Sequence, residues 1–488
     1  MQKLKKTKIQ KKTKFIMILM LLLVPILVSL GTKNPEGTSF TGEYYPADEV
    51  SFIYDLSYQK NGETMREHNI LKAELDLIDK AEEFLLLDLF LFNDEYHRAI
   101  VSYPNSVEQI TNALITKKQE NPNMPIILIT DPINNFYGVY EQRNLTRLKD
   151  AGVQVVVTDL NKMKDSNPLY SGFYRCYLQW FGTQGAGWIP NFFDDEGPRV
   201  NVRSILKLAN FKGNHRKTFI SEDEAIVASA NPHDPSSYHS NVAVRFRGNV
   251  VGDLLESEKN VITFSGGNVP QITYQKDLTK GLDSVEKVDK ETVMMRLITE
   301  RGIYDTLLDN INRANSKDEI WIGIFYLSDF AILDALGDAA DRGALVKIVA
   351  DPNKDAFGIE KNGSPNRQAL STLADQHDGI EVRWYNTTGE QYHVKMAYFL
   401  YSEANEARVV LGSGNFTRRN LEGYNLESDV EMVMTPDAKE AVEIQKYFHR
   451  IYFNQDGEYT LPMEHYYEKN GLKNILWRIQ EVLGLCTW

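Results

Sequence analysis

The 488-residue chain contains the same series of segments twice, and this repetition constrains its fold more than any other feature. An apolar run that ends in Asp occurs at 82–94 and again at 318–329. A strand-like segment with Asp-Pro follows each run, and we interpret Asp131 and Asp351 in these pairs as turn residues. A His-x-Lys motif and a Ser-x-Asn motif then follow in the same order. Repetition on this scale indicates two halves built from the same elements.

Apolar strand runs alternate with amphipathic helical segments throughout the chain. Two of the helical segments are 303–314 and 438–452. This alternation is typical of an α/β fold with a mostly parallel or mixed sheet. We therefore predict an α/β fold of two pseudo-symmetric α/β/α sandwich halves, at 43–280 and 290–460, with the boundary near 280–290.

The first half is longer than the second between Asp-Pro and the histidine. About 84 residues separate Asp131 from His215, whereas 42 separate Asp351 from His393. The excess, at 162–205, is rich in aromatic residues with glycines between them. Two interpretations stand: core packing of a long excursion, or a lid or interfacial apolar patch that contacts acyl chains.

The N-terminal segment differs from the rest of the chain. Residues 1–14 carry seven lysines and no acidic residue, and an apolar run follows at 15–30. This pattern is typical of a signal sequence or a short membrane anchor, with Ser29 and Gly31 as a weak cleavage site. We favour an uncleaved anchor at 1–31, which places the rest of the chain outside the cytoplasmic membrane, whereas cleavage would make it a secreted protein.

Charge and cysteine content argue against several classes of protein. The formal net charge is −13, and without the seven leader lysines the rest of the chain is near −20. An acidic body does not suit a nucleic-acid partner, whose phosphates require neutralisation. Cys176 and Cys486 are the two cysteines, and no zinc-binding spacing exists.

The repeated motifs supply the candidate catalytic residues. The two sets are His215, Lys217, Ser229 and Asn231 in the first half, and His393, Lys395, Ser413 and Asn415 in the second. Residues i and i+2 of a strand face the same side, so each histidine is expected beside its lysine. If the halves pack about a pseudo-twofold axis, both sets meet at one shared site.

This collection of side chains suits a phosphodiester. Lysines and asparagines hold the non-bridging oxygens, which gain charge as phosphorus is attacked. One histidine attacks phosphorus and forms a covalent phospho-histidine. The other protonates the leaving alkoxide and then deprotonates the incoming alcohol or water. Because the lysines supply the positive charge, we expect no metal and no cofactor.

The pattern resembles the phospholipase D superfamily, with its duplicated H-x-K-x4-D motif followed by G-S-x-N. The resemblance covers nearly the whole chain after the leader and implies two halves with one shared active site. With the N-terminal membrane segment, the layout looks most like bacterial cardiolipin synthases. It implies transfer of a phosphatidyl group between membrane lipids.

The match to the family's Asp is poor in both copies. The corresponding position is Glu222 in the first copy, with Asp223 next to it. In the second copy it is Leu400, with Glu403 nearby. Because the resemblance implies a structural role for this Asp, the departure weakens the motif more than the mechanism.

The family often continues with N-x-E, and here Asn425 and Glu427 fit. The equivalent first-half positions, by residue count, are Asn241 and Ala243, so only one half supplies the carboxylate.

The resemblance also implies that Glu427 reaches across to the histidine of the other half and holds its tautomer. We therefore favour His215 as nucleophile and His393 as general acid/base. For Arg418 and Arg419 two interpretations stand, added phosphate contacts or a helix-capping or solvent-facing position, and we favour the second.

The residue pattern of the tail at 461–488 predicts one amphipathic helix. Its apolar face contains Leu472, Ile475, Leu476, Ile479, Val482 and Leu483. We favour docking of this face onto the body over a position on a membrane.

Three functions remain in view. The leading one is a phosphatidyl transferase or phospholipase D-type phosphodiesterase that acts on a phospholipid substrate at a membrane surface. The alternatives are a metal-independent nuclease of the same fold and a catalytically inactive scaffold that binds phospholipid. The oligomeric state is left open.

Overall fold

The computed structural model describes most of the chain, namely residues 2–96, 102–185, 187–194, 196–277, 281–285, 290, 292–356 and 359–484. Within these residues, sixteen strands form one continuous mixed sheet. The predicted α/β class is therefore confirmed. Cys486 and residues 280 and 286–289 of the predicted boundary lie outside the described residues.

The elements of the first half follow the N-terminal helix α1 (Gln2–Leu30). In chain order they are β1 (Tyr45–Lys60), β2 (Glu63–Glu67), α2 (Ile70–Lys80), β3 (Leu85–Leu89), α3 (Ser106–Glu120), β4 (Ile126–Thr130), α4 (Arg143–Asp150), β5 (Gln154–Val157), α5 (Pro168–Phe173), α6 (Val202–Leu208), β6 (Gly213–Asn214), β7 (Lys217–Ile220), β8 (Glu224–Ala228), β9 (Asn241–Arg247) and α7 (Val250–Phe264).

The second half repeats this series with a longer tail. Its elements are β10 (Val293–Thr299), α8 (Arg301–Arg313), β11 (Glu319–Ile324), α9 (Phe330–Asp341), β12 (Leu345–Ala350), β13 (Asp355–Ala356), β14 (Ile359–Glu360), α10 (Asn366–Gln376), β15 (Ile380–Tyr385), β16 (Lys395–Tyr401), β17 (Glu406–Gly412), α11 (Arg418–Leu421), β18 (Asn425–Leu426), β19 (Ser428–Met434), α12 (Lys439–Tyr452), β20 (Thr460–Pro462) and α13 (Gly471–Leu483). Both predicted amphipathic helices are present, as α8 and α12.

The strand order is the same in the two halves. It runs β5-β4-β3-β7-β8-β9 in the first half and β15-β12-β11-β16-β17-β19 in the second. In each half the first three strands are parallel, and the others pair antiparallel. β1 and β10 pair antiparallel in the middle and join the halves. This arrangement confirms two pseudo-symmetric halves.

Alternation along the strands builds one core on each face of the sheet. In β3, Leu85 and Leu87 pack with α2, α3 and α4, whereas Leu86 points to the opposite face. In β11, the side chains of Ile320 and Trp321 likewise point to opposite faces of the sheet. The opposite face is covered by α7 and α12, whose core is continuous across both halves. These layers are the predicted α/β/α sandwich.

The N-terminal helix α1 contains a candidate membrane span. The segment Lys11–Leu30 has a mean hydropathy of 2.5 and is long and apolar enough to cross a membrane. Its apolar side chains are mostly exposed, except Pro25 and Ser29, which are buried against the insertion. An N-terminal anchor or signal stays a prediction that this helix supports.

The aromatic insertion is only partly packed into the body, and its predicted use as a lid or acyl-chain patch stays a prediction. Tyr174 is buried, and the ring of Phe136 contacts the rings of Phe192 and Phe193. Three large aromatic side chains are instead between 67% and 75% exposed: Trp180, Phe181 and Trp188. Core packing therefore accounts for only part of this segment.

The tail helix α13 docks through the face opposite to the predicted one. Trp477 is buried against Phe330, and Glu481 accepts a hydrogen bond from the backbone of Arg418. The predicted apolar face is between 43% and 78% exposed. The prediction that this face docks onto the body is therefore wrong, because one aromatic and one acidic residue make the contact instead.

Candidate functional site

Each histidine is held in place by the other half of the molecule. The backbone N–H of His215 donates to the carbonyl of Leu426 at 2.8 Å, beside the short parallel pair β6–β18. The N–H of His393 donates in the same way to the carbonyl of Ser240 at 2.8 Å. The two halves thus fix each other's histidine through reciprocal backbone pairing.

The two imidazole rings face each other across one site. The ring centroids of His215 and His393 are 6.5 Å apart, and both residues are buried. Phe90 lies 4.7 Å from the ring of His215, and Phe325 lies 4.9 Å from that of His393. These two phenylalanines end equivalent apolar runs, and sequence reasoning overlooked their place beside the histidines.

Glu427 makes the cross-half contact that was predicted for it. Its Oε2 lies 2.9 Å from Nδ1 of His215. It also accepts hydrogen bonds from the Ser413 hydroxyl at 2.6 Å and from the Asn420 side chain. A carboxylate at Nδ1 favours the tautomer with its proton there, so Nε2 keeps its lone pair.

The first-half counterpart of Glu427 is Asn241, not Ala243. Nδ1 of His393 lies 3.1 Å from Oδ1 of Asn241, and the Ser229 hydroxyl donates to the same oxygen at 3.0 Å. Counting residues from the Ser-x-Asn motif fails because the intervening loop is two residues shorter in the first half. One histidine therefore has a carboxylate partner and the other has a neutral amide.

Ser413 lies behind the histidines in the structure. It is fully buried, donates to Glu427, and its oxygen accepts from the backbone N–H of Ser428 at 3.0 Å. It therefore positions the carboxylate. The side chain of Asn231 accepts a hydrogen bond from the N–H of Leu91 at 3.4 Å. Oδ1 of Asn415 is buried without a hydrogen-bond partner among the described residues.

Both lysines of the His-x-Lys motifs are buried beside their histidines. Lys217 donates to the carbonyl of His215, and Lys395 donates to that of His393 at 2.7 Å. β7 and β16 begin at the lysines, so each histidine lies just before its strand. Burial lowers the pKa of Lys217 to about 7 against the pull of nearby carboxylates. Burial, together with the charge of Lys217, also lowers the pKa of Lys395.

Burial lowers the pKa of both histidines. Burial lowers the pKa of His215 to about 4, although Glu427 opposes this shift. Burial and the nearby Lys395 lower the pKa of His393 well below its ordinary value. Burial disfavours ionisation of Glu427, but its charged and hydrogen-bonding neighbours lower its pKa overall, so it stays a carboxylate.

The two Asp-Pro aspartates do more than form turns. Asp131 Oδ1 accepts from the N–H of Ile133 at 2.8 Å, and Oδ2 accepts from the N–H of Asn214, next to His215, at 2.7 Å. Oδ2 of Asp351 accepts a hydrogen bond from the backbone N–H of Tyr392, next to His393, at 2.7 Å. Burial raises the pKa of each aspartate to about 7. Their matching places in both halves were the signal for this role.

Two further titratable groups adjoin the site and were not predicted. The ring of His239 lies 5.9 Å from that of His393, and burial lowers its pKa to about 3. Asp429 accepts from the N–H of Gly414 at 3.0 Å, and burial raises its pKa to about 8.

A buried ionic cluster lies behind His215. Arg216, which occupies the core side of the first motif, pairs with Glu258 at 3.2 Å and with Glu300 at 2.8 Å. Glu300 also accepts from the backbone N–H of Glu427 at 3.1 Å. The second half has apolar Val394 at the matching position, so the second motif has no equivalent of Arg216.

The positions of the missing motif Asp lie at the far ends of the strands. The Glu222 carboxylate accepts from the N–H of Glu82 at 2.6 Å, before β3. Leu400 is part of β16, and the side chain of Glu403 is 82% exposed. These placements agree with a structural role.

Arg418 caps the C-terminal end of α13, which agrees with a predicted helix-capping role, whereas Arg419 is buried and joins distant segments, which corrects its prediction. Arg418 donates to the carbonyl of Val482 at 2.7 Å in α13. Arg419 is only 7% exposed and donates to the carbonyl of Phe211, shortly before the first motif. Their carbonyl partners are far away in sequence, which is why local reasoning did not find them.

Comparisons with known proteins agree with this architecture. A family model described as "Cardiolipin synthase, PLD-like domain" matches residues 307–452, which include the second His-x-Lys motif and Glu427. None of the curated proteins matches the chain. The fold resembles that of phosphatidylserine synthase from Haemophilus influenzae Rd KW20, with a TM-score of 0.56, 11% identity, and coverage of 90% of this chain and 96% of that one.

Two other solved structures resemble the chain less well. Polyphosphate kinase from Porphyromonas gingivalis gives a TM-score of 0.42 at 9% identity, covering 90% of this chain and 56% of that one. A phospholipase D family member, Nuc from Salmonella typhimurium, gives 0.26 at 20% identity, covering 34% and 97%.

The chain as a whole therefore has a two-lobed α/β fold similar to that of the phosphatidylserine synthase, and residues 307–452 match the PLD-like domain. The resemblance to the phospholipase D superfamily, predicted from the repeated motifs, is confirmed by this domain match.

Proposed function

We propose that this protein is a phospholipase D-type phosphodiesterase or phosphatidyl transferase that acts on membrane glycerophospholipids through a covalent phospho-histidine. The observation that carries the proposal is the pair of buried imidazoles, 6.5 Å apart, each with a buried lysine beside it. Two neutral nitrogen bases flanked by two cations fit a phosphodiester anion.

The unequal partners of the two histidines support the assignment of roles. The contact between Glu427 and Nδ1 of His215 leaves Nε2 of His215 as the attacking atom. As Nε2 forms its bond to phosphorus, the ring gains positive charge, which the carboxylate stabilises. His393 has only the amide of Asn241 and is better suited to proton transfer.

The first chemical step forms one bond and breaks another. Nε2 of His215 attacks phosphorus, and the bond from phosphorus to the head-group oxygen breaks. The bound phosphodiester carries a negative charge that favours the protonated form of His393. The His393 imidazolium gives its proton to the leaving alkoxide, and the head-group alcohol departs. Lys217 and Lys395 hold the non-bridging oxygens.

The second step restores both histidines. Neutral His393 removes a proton from an incoming alcohol or water, whose oxygen attacks phosphorus. The P–N bond to His215 breaks, and the phosphatidyl group passes to the incoming oxygen. Transfer to a lipid alcohol gives a cardiolipin synthase-like reaction, and transfer to water gives hydrolysis.

Several features support a lipid substrate. The chain has a candidate membrane span at its N-terminus, and exposed aromatic side chains lie in the first half. The matched family model carries a cardiolipin synthase description, and the similar structure over 90% of the chain is a phosphatidylserine synthase. The acidic net charge does not favour a nucleic acid.

The test is mass spectrometry of the intact protein after mixing with phosphatidylglycerol vesicles and rapid quenching without acid. We expect a phosphatidyl adduct that peptide mapping assigns to His215. An adduct on His393 would keep the reaction and reverse the roles. Absence of an adduct, of released glycerol and of any lipid product would overturn the proposal in favour of the inactive scaffold.

A second test separates the two histidines. A phosphodiester with an activated leaving group, such as p-nitrophenol, does not need an acid to depart. His393→Ala should therefore still release one equivalent of nitrophenol and then stall with the adduct on His215. His215→Ala should release none, and a burst from this variant would contradict the proposed roles.

A further inference from the structure

The insertion packs against α1, the end of α13 adjoins the insertion, and both present exposed apolar side chains. We propose that the insertion and α13 enter the outer leaflet of the bilayer that α1 crosses, and that they hold the mouth of the site at the level of the lipid head groups. This inference rests on the membrane location and the lipid substrate of the proposed function.

The depth of the insertion is fixed by its contact with α1. Gly172 lies so close to Pro25 that an added Cβ would collide with the carbonyl oxygen of Pro25. One turn further along, the Tyr177 hydroxyl donates to the carbonyl of Leu21 at 3.1 Å. From Leu21 to Ser29 a helix rises about 12 Å. Whatever surrounds the last turns of the apolar span therefore also surrounds the insertion.

The outward side chains of the insertion suit this depth. Leu169 is 60% exposed and Phe173 is 43% exposed, and both belong to α5 beside α1. Trp180 and Phe181 follow and are 75% and 67% exposed. Aromatic side chains of this type are enriched where a membrane meets water.

The apolar face of the tail helix α13 points away from the body of the protein. The side opposite to Trp477 and Glu481 consists of six large apolar residues: Leu472, Ile475, Leu476, Ile479, Val482 and Leu483. A contiguous apolar face of this kind marks an interaction or membrane surface. By helical periodicity, Lys473 and Arg478 border the face on its two sides, where their charges can reach lipid phosphates.

The tail and the insertion are joined at the point where α1 ends. The backbone of Asp165 donates to the Thr32 hydroxyl at 2.9 Å, and the side chain of Asn34 donates to the carbonyl of Gly423 at 2.6 Å. A Cβ on Gly484, at the end of α13, would lie 2.8 Å from the carbonyl oxygen of Ser166. The apolar surfaces are thus continuous with the candidate span, which identifies a bilayer as their occupant.

The same junction leads to the active site. Lys212 donates to the Asp165 carboxylate at 2.9 Å, three residues before His215. Arg418 contacts α13, and Asn420 of the same short helix α11 contacts Glu427. A bilayer against this surface therefore lies next to the His215 side of the site.

The test uses the full chain in vesicles, with Cys176→Ser and Cys486→Ser as background. A polarity-sensitive fluorophore is attached to Leu476→Cys, to Phe181→Cys, or to the control Phe453→Cys. Phe453 is 56% exposed, and its ring contacts α12. Nitroxides on the lipid acyl chains should quench the first two labels severalfold more than the control. Equal quenching at all three positions would overturn the inference, as would a mature N-terminus beyond Leu30.

An activity measurement provides the second readout. The double variant Ile475→Glu/Leu476→Glu should lose at least about tenfold in turnover of lipid in vesicles and keep its turnover of a dissolved short-chain lipid. Phe453→Glu should keep both. An equal effect of the double variant on both substrates would overturn the inference. If the proposed function is wrong, the unmodified protein will turn over neither lipid. The quenching measurement does not depend on turnover, so it would still show whether the labelled surface enters the bilayer.

Discussion

At the scale of single residues, the difference between Glu427 and Asn241 breaks the symmetry of the site. Each accepts a hydrogen bond from Nδ1 of a histidine in the other half, and each is held by a serine hydroxyl. The carboxylate stabilises a positive imidazole, whereas the amide does not. Two copies of one motif thus acquire two chemical roles through a single pair of side chains.

Replacement of this carboxylate should mainly affect the attacking histidine. Glu427→Gln keeps the size of the side chain but removes the charge that stabilises the ring during attack. We expect adduct formation to slow by about 10² to 10⁴-fold, as measured by single-turnover kinetics. The matched change Asn241→Ala should leave adduct formation less affected with an activated leaving group. An equal loss in both variants would contradict the unequal roles.

The lysines predict a characteristic pH dependence. Burial lowers the pKa of Lys217 to about 7, so its positive charge is lost as the pH rises through this value in the free protein. Because kcat/KM reports the free enzyme, kcat/KM should fall above pH about 7. A bound phosphodiester favours the ammonium form, so kcat should fall only at higher pH.

A charge-retaining variant provides the control for this pH dependence. Lys217→Arg keeps its charge at every pH used and should flatten the alkaline limb even if the rate is lower. A kcat/KM that rises between pH 7 and 9 in the unmodified protein would contradict the assignment.

At the scale of elements, α13 illustrates how a helix docks through a minority of its residues. Trp477 is 2% exposed and packs edge to face with Phe330, with ring centroids 5.5 Å apart. The side chain of Glu481 accepts a hydrogen bond from the backbone N–H of Arg418 at the start of α11. The side chains of the six apolar residues on the opposite face are 43% to 78% exposed, so they contribute little to this attachment.

Removal of the tryptophan should therefore release the tail helix. Truncation of a buried Trp costs about 3–5 kcal/mol. The remaining contacts of a single terminal helix cannot compensate for this loss of free energy. For Trp477→Ala we expect the amides of α13 to lose protection from hydrogen exchange while the strands of both halves keep theirs. Leu476→Ala, which removes an exposed side chain, should leave α13 protected. Unchanged protection in the tryptophan variant would show that other contacts hold the helix.

At the scale of the whole molecule, Glu300 connects three parts of the chain. Its carboxylate accepts from the guanidinium of Arg216 in the first half and from the backbone of Glu427 in the second. It also accepts from the backbone N–H of Ser39 at 2.7 Å, in the segment that leads from α1. The residue thus links the leader segment to the strand of His215 and to its partner carboxylate.

Neutralisation of this link should destabilise the molecule as a whole. Glu300→Gln leaves the fully buried Arg216 with one carboxylate fewer. Breaking a buried pair in this way costs about 3–5 kcal/mol. We expect a lower thermal midpoint together with slower adduct formation. Glu403→Gln, at a side chain that is 82% exposed, should change neither. An unchanged thermal midpoint in the Glu300 variant would show that Glu258 alone balances the charge of Arg216.

Much of the fold and of the candidate site could be predicted from the sequence. Apolar periodicity identified the alternating strands and helices, and the repetition identified the two halves. The His-x-Lys and Ser-x-Asn residues followed from motif order, and the contact of Glu427 with His215 was implied by the family resemblance. These features depend on residue type and spacing along the chain, which a sequence shows directly.

Other features were decided by the tertiary structure alone. Asn241 became the partner of His393 because a loop two residues shorter shifts the register of the motif, and counting along the chain cannot show this. The outward face of α13 depends on which side chains the body offers to it. The sequence by itself therefore determined which residues carry the chemistry, whereas contacts between distant segments decided their partners and the surface that surrounds them.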